Sequence, residues 1–125
     1  QNDRLAALHR LVERTAAVVV LKGAGTLIGA AGHISALCAQ GNPGMAAPGM
    51  GDVLTGAIAA ILGQCADPWQ AACAGVIAHA LAGDELARSA GGRGMVALEV
   101  AARLSHWVNP ASTVRAVAPE RGAGR

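Results

Sequence analysis

The stretch of sequence that decides the fold is residues 41–62, which read GNPGMAAPGMGDVLTGAIAAIL. A glycine-rich loop leads through one carboxylate, Asp52, into an apolar segment with helical character. Glycines let a backbone turn sharply and approach an anion, and the first turn of a helix carries unpaired N–H groups and a partial positive charge. The stretch therefore predicts a phosphate-binding site at the start of a helix.

Asp52 is the unusual residue of this stretch, because a carboxylate at the mouth of an anion site repels phosphate. Its position is explained if the carboxylate takes a proton from a hydroxyl group that then attacks phosphorus. The alternative is structural, since Asp is also a favoured helix N-cap. The length of the glycine-rich loop favours a backbone shaped for a ligand.

Composition places the chain among small globular domains. It has 125 residues, of which 53% are hydrophobic and 14% charged, with no Phe, no Tyr and two Trp. The core must therefore be built from Val, Leu, Ile, Met and Ala. The net charge of +2, without a dense basic patch, argues against nucleic-acid binding.

The three cysteines, Cys38, Cys65 and Cys73, show no metal-ligand spacing, which predicts free thiols, no metal site and a cytoplasmic location. No apolar run is long enough to cross a bilayer, so no membrane association is expected, and no signal-peptide pattern opens the chain. The chain starts with Gln1 in place of an initiator methionine, and we expect it to be a fragment or a processed product.

Hydrophobic periodicity predicts the order helix, three strands, three helices. The run 17–21 is typical of a buried strand of the kind found in parallel sheets, and the Ala31-Gly32 step predicts a hairpin. Asp67-Pro68 predicts a helix start, with Asp as the cap and Pro at the first position. The predicted elements are a helix beginning near residue 3, strands over 17–21, 26–30 and 33–38, and helices over 52–62, 68–88 and 95–107.

Several segments together resemble the ADP-dependent NAD(P)H-hydrate dehydratases of the ribokinase-like superfamily, over residues 3–108. The segments are VVLKGAGT at 19–26, GNPGMA at 41–46, GMGDVLTG at 49–56, AGVIAHALAGD at 74–84 and RGM at 93–95. The resemblance implies an α/β fold, a ribokinase-like three-layer sandwich of which residues 1–108 form only the carboxyl-terminal portion. Residues 109–125 are expected to be a flexible tail.

The resemblance also implies an activity. Such enzymes are lyases that convert hydrated NADH or NADPH (NADHX or NADPHX) back to the reduced cofactor while ADP is split to AMP and phosphate. ADP or ATP is then the co-substrate, and Mg²⁺ is expected on the phosphates. The alternatives are a ribokinase-like kinase for a sugar or vitamin, and a non-catalytic nucleotide-binding fragment.

Site residues follow from the same motifs. Asp52 matches the catalytic residue that meets the hydrated nicotinamide ring. The residues expected to contact the nucleotide are Lys22, Gly23, Ala24, Gly25, Thr26, Gly49, Met50 and Gly51. No metal ligands can be assigned.

The chain also departs from the family pattern. Ala47-Pro48 replaces a hydroxyl residue and a glycine, which removes up to two hydrogen-bond donors from the loop. His79 and Asp84 could form a proton relay, but a packing histidine is the favoured interpretation. Self-association is expected, as is a need for an amino-terminal half that completes the sheet and the pocket.

Overall fold

The computed structural model describes residues 3–109, and apart from Asn109 the predicted tail lies outside them. The elements follow the predicted order. They are α1 (Arg4–Thr15), β1 (Val19–Leu21), β2 (Thr26–Gly29), β3 (Ala36–Cys38), a 3₁₀ turn (Pro43–Met45), α2 (Met50–Cys65), α3 (Pro68–Ala90) and α4 (Ala97–Val108). None of the helices in this part of the chain is both long and apolar enough to cross a membrane.

Two helix starts are determined by local side-chain capping. The Asp3 carboxylate accepts a hydrogen bond from the Ala6 N–H at 2.9 Å, and Asp67 accepts one from the Gln70 N–H at 3.0 Å. Each bond satisfies a donor that the first helical turn leaves unpaired. Pro68 begins α3, where its missing N–H costs nothing. Both predicted starts are confirmed.

The three strands form one antiparallel sheet in the order β1-β2-β3. The expectation of a parallel-type buried strand at 17–21 is wrong, because β1 pairs antiparallel with β2 and is only half-buried. The predicted hairpin is confirmed, with the His33 N–H donating to the Ala30 carbonyl at 3.2 Å. A short turn can join antiparallel strands only, so the hairpin determines the strand direction.

Neighbouring residues of β2 show that helices cover both faces of the sheet. Ile28 belongs to an apolar cluster with Leu54 of α2 and Val76 of α3. A Cβ atom built on the next residue, Gly29, would lie 2.9 Å from the Leu8 side chain of α1. Successive strand residues point to opposite faces, so α1 packs on one face and α2 with α3 on the other. This is the predicted three-layer arrangement.

The interior consists of two apolar clusters joined by α3. The first lies between the sheet and the amino-terminal half of α3, and consists of Ile28, Cys38, Leu54, Ala72, Val76 and Ala80. The second lies between α2, α4 and the carboxyl-terminal half of α3, and consists of Met50, Ala82, Leu86, Met95 and Val100. Helix α2 contributes to both clusters, Met50 to the second and Leu54 to the first.

The two tryptophans mark opposite ends of this packing. Trp69, at the start of α3, packs against the first cluster and stacks on His33 with ring centroids 4.4 Å apart. Trp107 of α4 donates through Nε1 to the Glu85 carboxylate at 2.9 Å, and the same carboxylate contacts His106 at 3.2 Å. The Glu85 contacts fasten α4 to α3.

Candidate functional site

Helix α2 begins at a glycine and not at a capping side chain. Gly49 is the N-cap residue, with φ of 81° and no side-chain cap hydrogen bond. This backbone conformation suits glycine, and Asp52 lies three positions further on, inside the first turn. The alternative that Asp52 caps the helix is therefore wrong. Its carboxylate is exposed at the positive end of the helix, where the Gly51 and Asp52 N–H groups have no intrahelical acceptor.

A cavity of about 550 Å³ lies beside this helix start. One wall is the turn from β1 to β2, and the opposite wall is the loop that follows β3 together with residues of α2 and α3. Its lining includes all five residues of the predicted nucleotide-contacting turn, Lys22, Gly23, Ala24, Gly25 and Thr26. The structure therefore brings the KGAGT segment and the NPGM loop together around one space.

Lys22 links the cavity to the start of α2. It lines the cavity, and its Nζ atom lies 3.8 Å from a Cβ position built on Gly51. An ammonium group beside unpaired helix N–H groups gives two independent sources of positive potential at one point. The junction between cavity and helix is therefore suited to an anionic group.

The loop wall of the cavity is fastened to α3 through Asp84. The Gly41 N–H donates to Asp84 Oδ2 at 2.9 Å, and Asn42 Nδ2 donates to Oδ1 at 3.0 Å. Asn42 Oδ1 in turn accepts from the Gly44 N–H at 3.0 Å. Asp84 is thus a loop-holding residue, and the relay with His79 has no contact to support it among the described residues.

His79 is the most buried polar residue of this wall. Its side chain is 5% exposed, it lines the cavity, and its Nε2 has no hydrogen-bond partner within residues 3–109. Burial lowers the pKa of His79, the nearby Lys22 charge lowers it further, and a backbone hydrogen bond to Met50 opposes both effects. The prediction that His79 is a buried packing residue is confirmed. Within residues 3–109, however, one of its two ring nitrogens, Nε2, has no hydrogen-bond partner.

The remaining predicted contacts do not line the cavity. Gly49, Met50, Gly51 and Asp52 lie beside it at the start of α2, and only their neighbour Leu54 forms part of the wall. The Met50 side chain is buried in the second cluster, so only its backbone can face a ligand. Met45 packs into the space that a side chain on Gly83 would occupy, as expected for a packing residue.

The described part of the chain contains no group of three or more His, Cys, Asp or Glu side chains that could hold a metal ion. Cys38, Cys65 and Cys73 are free thiols. Sequence reasoning missed two contributions to the site, the Asn42–Asp84 contact and the contact of Arg4 with the KGAGT turn. Only the tertiary structure brings these partners together, across 42 and about 20 residues of sequence.

Sequence comparisons relate this chain to NAD(P)H-hydrate dehydratases and repair enzymes. The sequence model described as NAD(P)H-hydrate dehydratase matches residues 1–106. The bifunctional NAD(P)H-hydrate repair enzyme Nnr of Escherichia coli is 49% identical over 113 residues, which is 90% of this chain and 22% of that protein. The ADP-dependent (S)-NAD(P)H-hydrate dehydratase of Neisseria meningitidis is 40% identical, over 81% of this chain and 34% of its own length.

A solved structure shares the fold. The ADP/ATP-dependent NAD(P)H-hydrate dehydratase from Bacillus subtilis, co-crystallized with ATP/Mg²⁺ and soaked with CoA, superimposes with a TM-score of 0.80 at 27% identity. The match covers 85% of this chain and 39% of that structure. The chain thus spans between about a fifth and two fifths of the length of these proteins. With a family match over 1–106 and a shared ribokinase-like fold, the chain belongs to the NAD(P)H-hydrate dehydratase family.

Proposed function

We propose that residues 1–108 of this chain form the carboxyl-terminal portion of the catalytic domain of an enzyme. This enzyme dehydrates hydrated NAD(P)H with ADP as co-substrate. One observation carries the proposal: the complete Lys22–Thr26 turn lines a cavity beside the α2 terminus that holds Asp52. The relatives named for this reaction are the second support, and their names extend to this chain only as part of the proposal.

The nucleotide occupies the cavity, with its phosphates toward α2. A volume of about 550 Å³ lies within the range of small-molecule sites, on the order of 300–1,000 Å³. Lys22 and the N–H groups at the start of α2, with those of Gly49 and Gly51 foremost, receive the terminal phosphate, because Lys22 Nζ lies beside Gly51. The Met50 N–H already donates to the Ala47 carbonyl at 3.4 Å, so Met50 contributes as part of the backbone of this turn. The other turn residues, Gly23 to Thr26, contact the remainder of the nucleotide.

Asp52 supplies the base. Its carboxylate takes the proton of the ring hydroxyl of hydrated NAD(P)H, and the hydroxyl oxygen forms a bond to the β-phosphorus of ADP. The bond from that phosphorus to the bridging oxygen breaks, and AMP leaves. The ring C–O bond then breaks, phosphate leaves with the electron pair, and a proton lost from the neighbouring ring carbon restores the double bond. Phosphate is a better leaving group than hydroxide, and this explains why the reaction consumes ADP.

The polar groups at the α2 terminus stabilise the charge that develops on phosphate oxygens during the first step. Mg²⁺ binds readily to phosphates together with one or two carboxylates, and when bound it would neutralise phosphate charge. Residues 3–109 form no metal-binding cluster of their own, and Asp52 is the acidic residue in the first turn of α2.

We further propose that the remainder of the enzyme covers the exposed edge of the sheet. Within the described residues β3 pairs on one side only, and the nearby Ile34 and Leu37 are 94% and 64% exposed. An apolar edge of this kind is normally covered. Because this edge needs a cover, we expect the protein to need its amino-terminal half for turnover. We also propose that the complete protein is a homo-oligomer and acts in the cytoplasm.

Asp52→Asn tests the proposal in the full-length protein that carries this segment. Loss of the base is expected to lower kcat for hydrated NADH by about 10²–10⁴-fold. Affinity for ADP should be kept, because Asn removes a charge that repels phosphate. NADH absorbance follows the product, and titration calorimetry follows ADP.

Glu13→Gln is the matched control, since it neutralises an exposed carboxylate of α1 and should leave both quantities unchanged. Unchanged turnover in Asp52→Asn would remove Asp52 from the mechanism. Accumulation of a phosphorylated compound by the wild type, without recovery of NADH absorbance, would instead support a kinase. Binding of ADP without any turnover would support a non-catalytic module.

A further inference from the structure

Arg4 of α1 contacts the backbone of the KGAGT turn and of the strand residue before it. Its Nη1 donates to the carbonyls of Ala24 at 2.7 Å and Gly25 at 2.9 Å, and its Nη2 donates to the carbonyl of Leu21 at 3.0 Å. Arg4 is the first residue of α1 and does not line the cavity. The guanidinium thus ties the last residue of β1 to two carbonyls of the turn that follows it.

These bonds also orient the N–H groups of the turn. A trans peptide unit is planar, and its N–H points opposite to its carbonyl. The carbonyls of Leu21, Ala24 and Gly25 share peptide planes with the N–H groups of Lys22, Gly25 and Thr26. When the carbonyls point to Arg4, these N–H groups point away from it.

The fit at Gly23 shows how closely the guanidinium approaches the backbone. A Cβ atom built there would lie 2.8 Å from Arg4 Nη2 and 3.1 Å from Cζ, and the φ angle of 156° is one that other residues rarely adopt. Glycine at this position leaves room for the Arg4 guanidinium in its observed place. A side chain there would force the guanidinium to shift.

The charge of Arg4 faces no carboxylate within salt-bridge distance among residues 3–109, where the His106–Glu85 contact is the only salt bridge. A guanidinium that bonds only to carbonyls keeps its positive field. That field adds to the field of Lys22, which lines the cavity.

We propose that Arg4 is a positioning residue for nucleotide binding: it holds the Lys22–Thr26 turn with its N–H groups directed away from α1 and strengthens the positive potential behind it. This role rests on the proposed function, since it assumes that the turn receives a nucleotide. Arg4 itself does not touch the nucleotide.

The test compares Arg4→Gln, Arg4→Lys and Arg10→Gln in the full-length protein. Arg10 lies on the same helix with an exposed side chain, so its variant controls for lost charge on α1. Arg4→Gln is expected to weaken ADP binding about tenfold, as loss of charged hydrogen bonds predicts, while kcat at saturating ADP changes less than about twofold. Arg4→Lys keeps the charge but loses the planar fork, so its affinity for ADP should lie between that of Arg4→Gln and that of the wild type.

Hydrogen exchange without nucleotide gives the second measurement. Amides of residues 22–26 should exchange faster in Arg4→Gln than in Arg10→Gln, while those of α3 stay protected. Unchanged ADP affinity in a folded Arg4→Gln, or an equal loss in Arg10→Gln, would overturn the proposal. If the wild type fails to bind ADP, the proposed function falls, and unchanged exchange at 22–26 would then refute the ordering role of Arg4 as well.

Discussion

Replacing Asp84 by Ala removes the contact that holds the loop wall of the cavity. The carboxylate accepts two hydrogen bonds, from the Gly41 N–H at 2.9 Å and from Asn42 Nδ2 at 3.0 Å. Without it, the loop keeps the Asn42–Gly44 contact and the packing of Met45 beside Gly83, but loses both hydrogen bonds to the Asp84 side chain. We expect both the stability of the domain and its affinity for ADP to fall.

The size of the effect follows from the two bonds. Hydrogen bonds to a charged group are worth roughly 1.5–3 kcal/mol each. The Gly41 bond is exposed and water can replace part of it, so the lower end of the range applies. The free energy of unfolding should therefore fall by about 2–3 kcal/mol. Asp84→Asn should recover little, because the amide NH₂ must face one of the two donors.

Equilibrium urea denaturation of the full-length protein measures the free energy of unfolding, and titration with ADP measures the affinity for the nucleotide. A double-mutant cycle with Asn42→Ala isolates the side-chain bond, with an expected coupling of about 1 kcal/mol or more. Glu13→Ala, an exposed carboxylate on α1, is the control. A loss below about 0.5 kcal/mol in Asp84→Ala, the range of ordinary surface changes, would refute the reasoning.

Two further predictions concern α3. Gly75→Ala should destabilise the protein by about 1–3 kcal/mol in thermal unfolding despite the better helix propensity of Ala, because the new Cβ would lie 2.5 Å from the Ile58 side chain and 3.2 Å from its Cα; an unchanged or raised Tm would contradict the close approach of α2 and α3. At Glu85, desolvation raises the pKa, but the hydrogen bonds from Trp107 and His106 and nearby positive charges outweigh it, so the pKa lies below the ordinary value of a glutamate side chain. The extra stability is present above that value and is lost as the pH falls through the lowered pKa, so the stability gap between wild type and Glu85→Gln should close on acidification, and a gap that is constant with pH would count against the contact.

Local signals in the sequence were sufficient for most elements. Asp67-Pro68 marks the start of α3 because both residues act within one helical turn. The sequence predicts the start of α2 at Asp52, two residues later than the structure has it, because a glycine in a left-handed conformation replaces the expected side-chain cap. The direction of β1 could not be read from its apolar run, because a continuous run says only that a strand is buried.

The candidate site was predictable where a motif forms it and not where distant residues support it. Lys22 to Thr26 line the cavity as the motif indicated. Arg4 was predictable only as a polar residue on an amphipathic helix, since its carbonyl partners lie about 20 residues away. The same holds for the Nε2 atom of His79, which has no hydrogen-bond partner within residues 3–109 because of how α3 packs against the cavity.

The placement of the two tryptophans has a practical consequence. In a chain without tyrosine, ultraviolet emission comes from Trp69, stacked on His33 near the first cluster, and from Trp107, bonded to Glu85 beside the second. Replacing either indole by phenylalanine leaves a single fluorophore, so each variant of this chain reports on one end of α3. Coincident melting of the two signals would show that the two apolar clusters, which α3 joins, unfold as one cooperative unit.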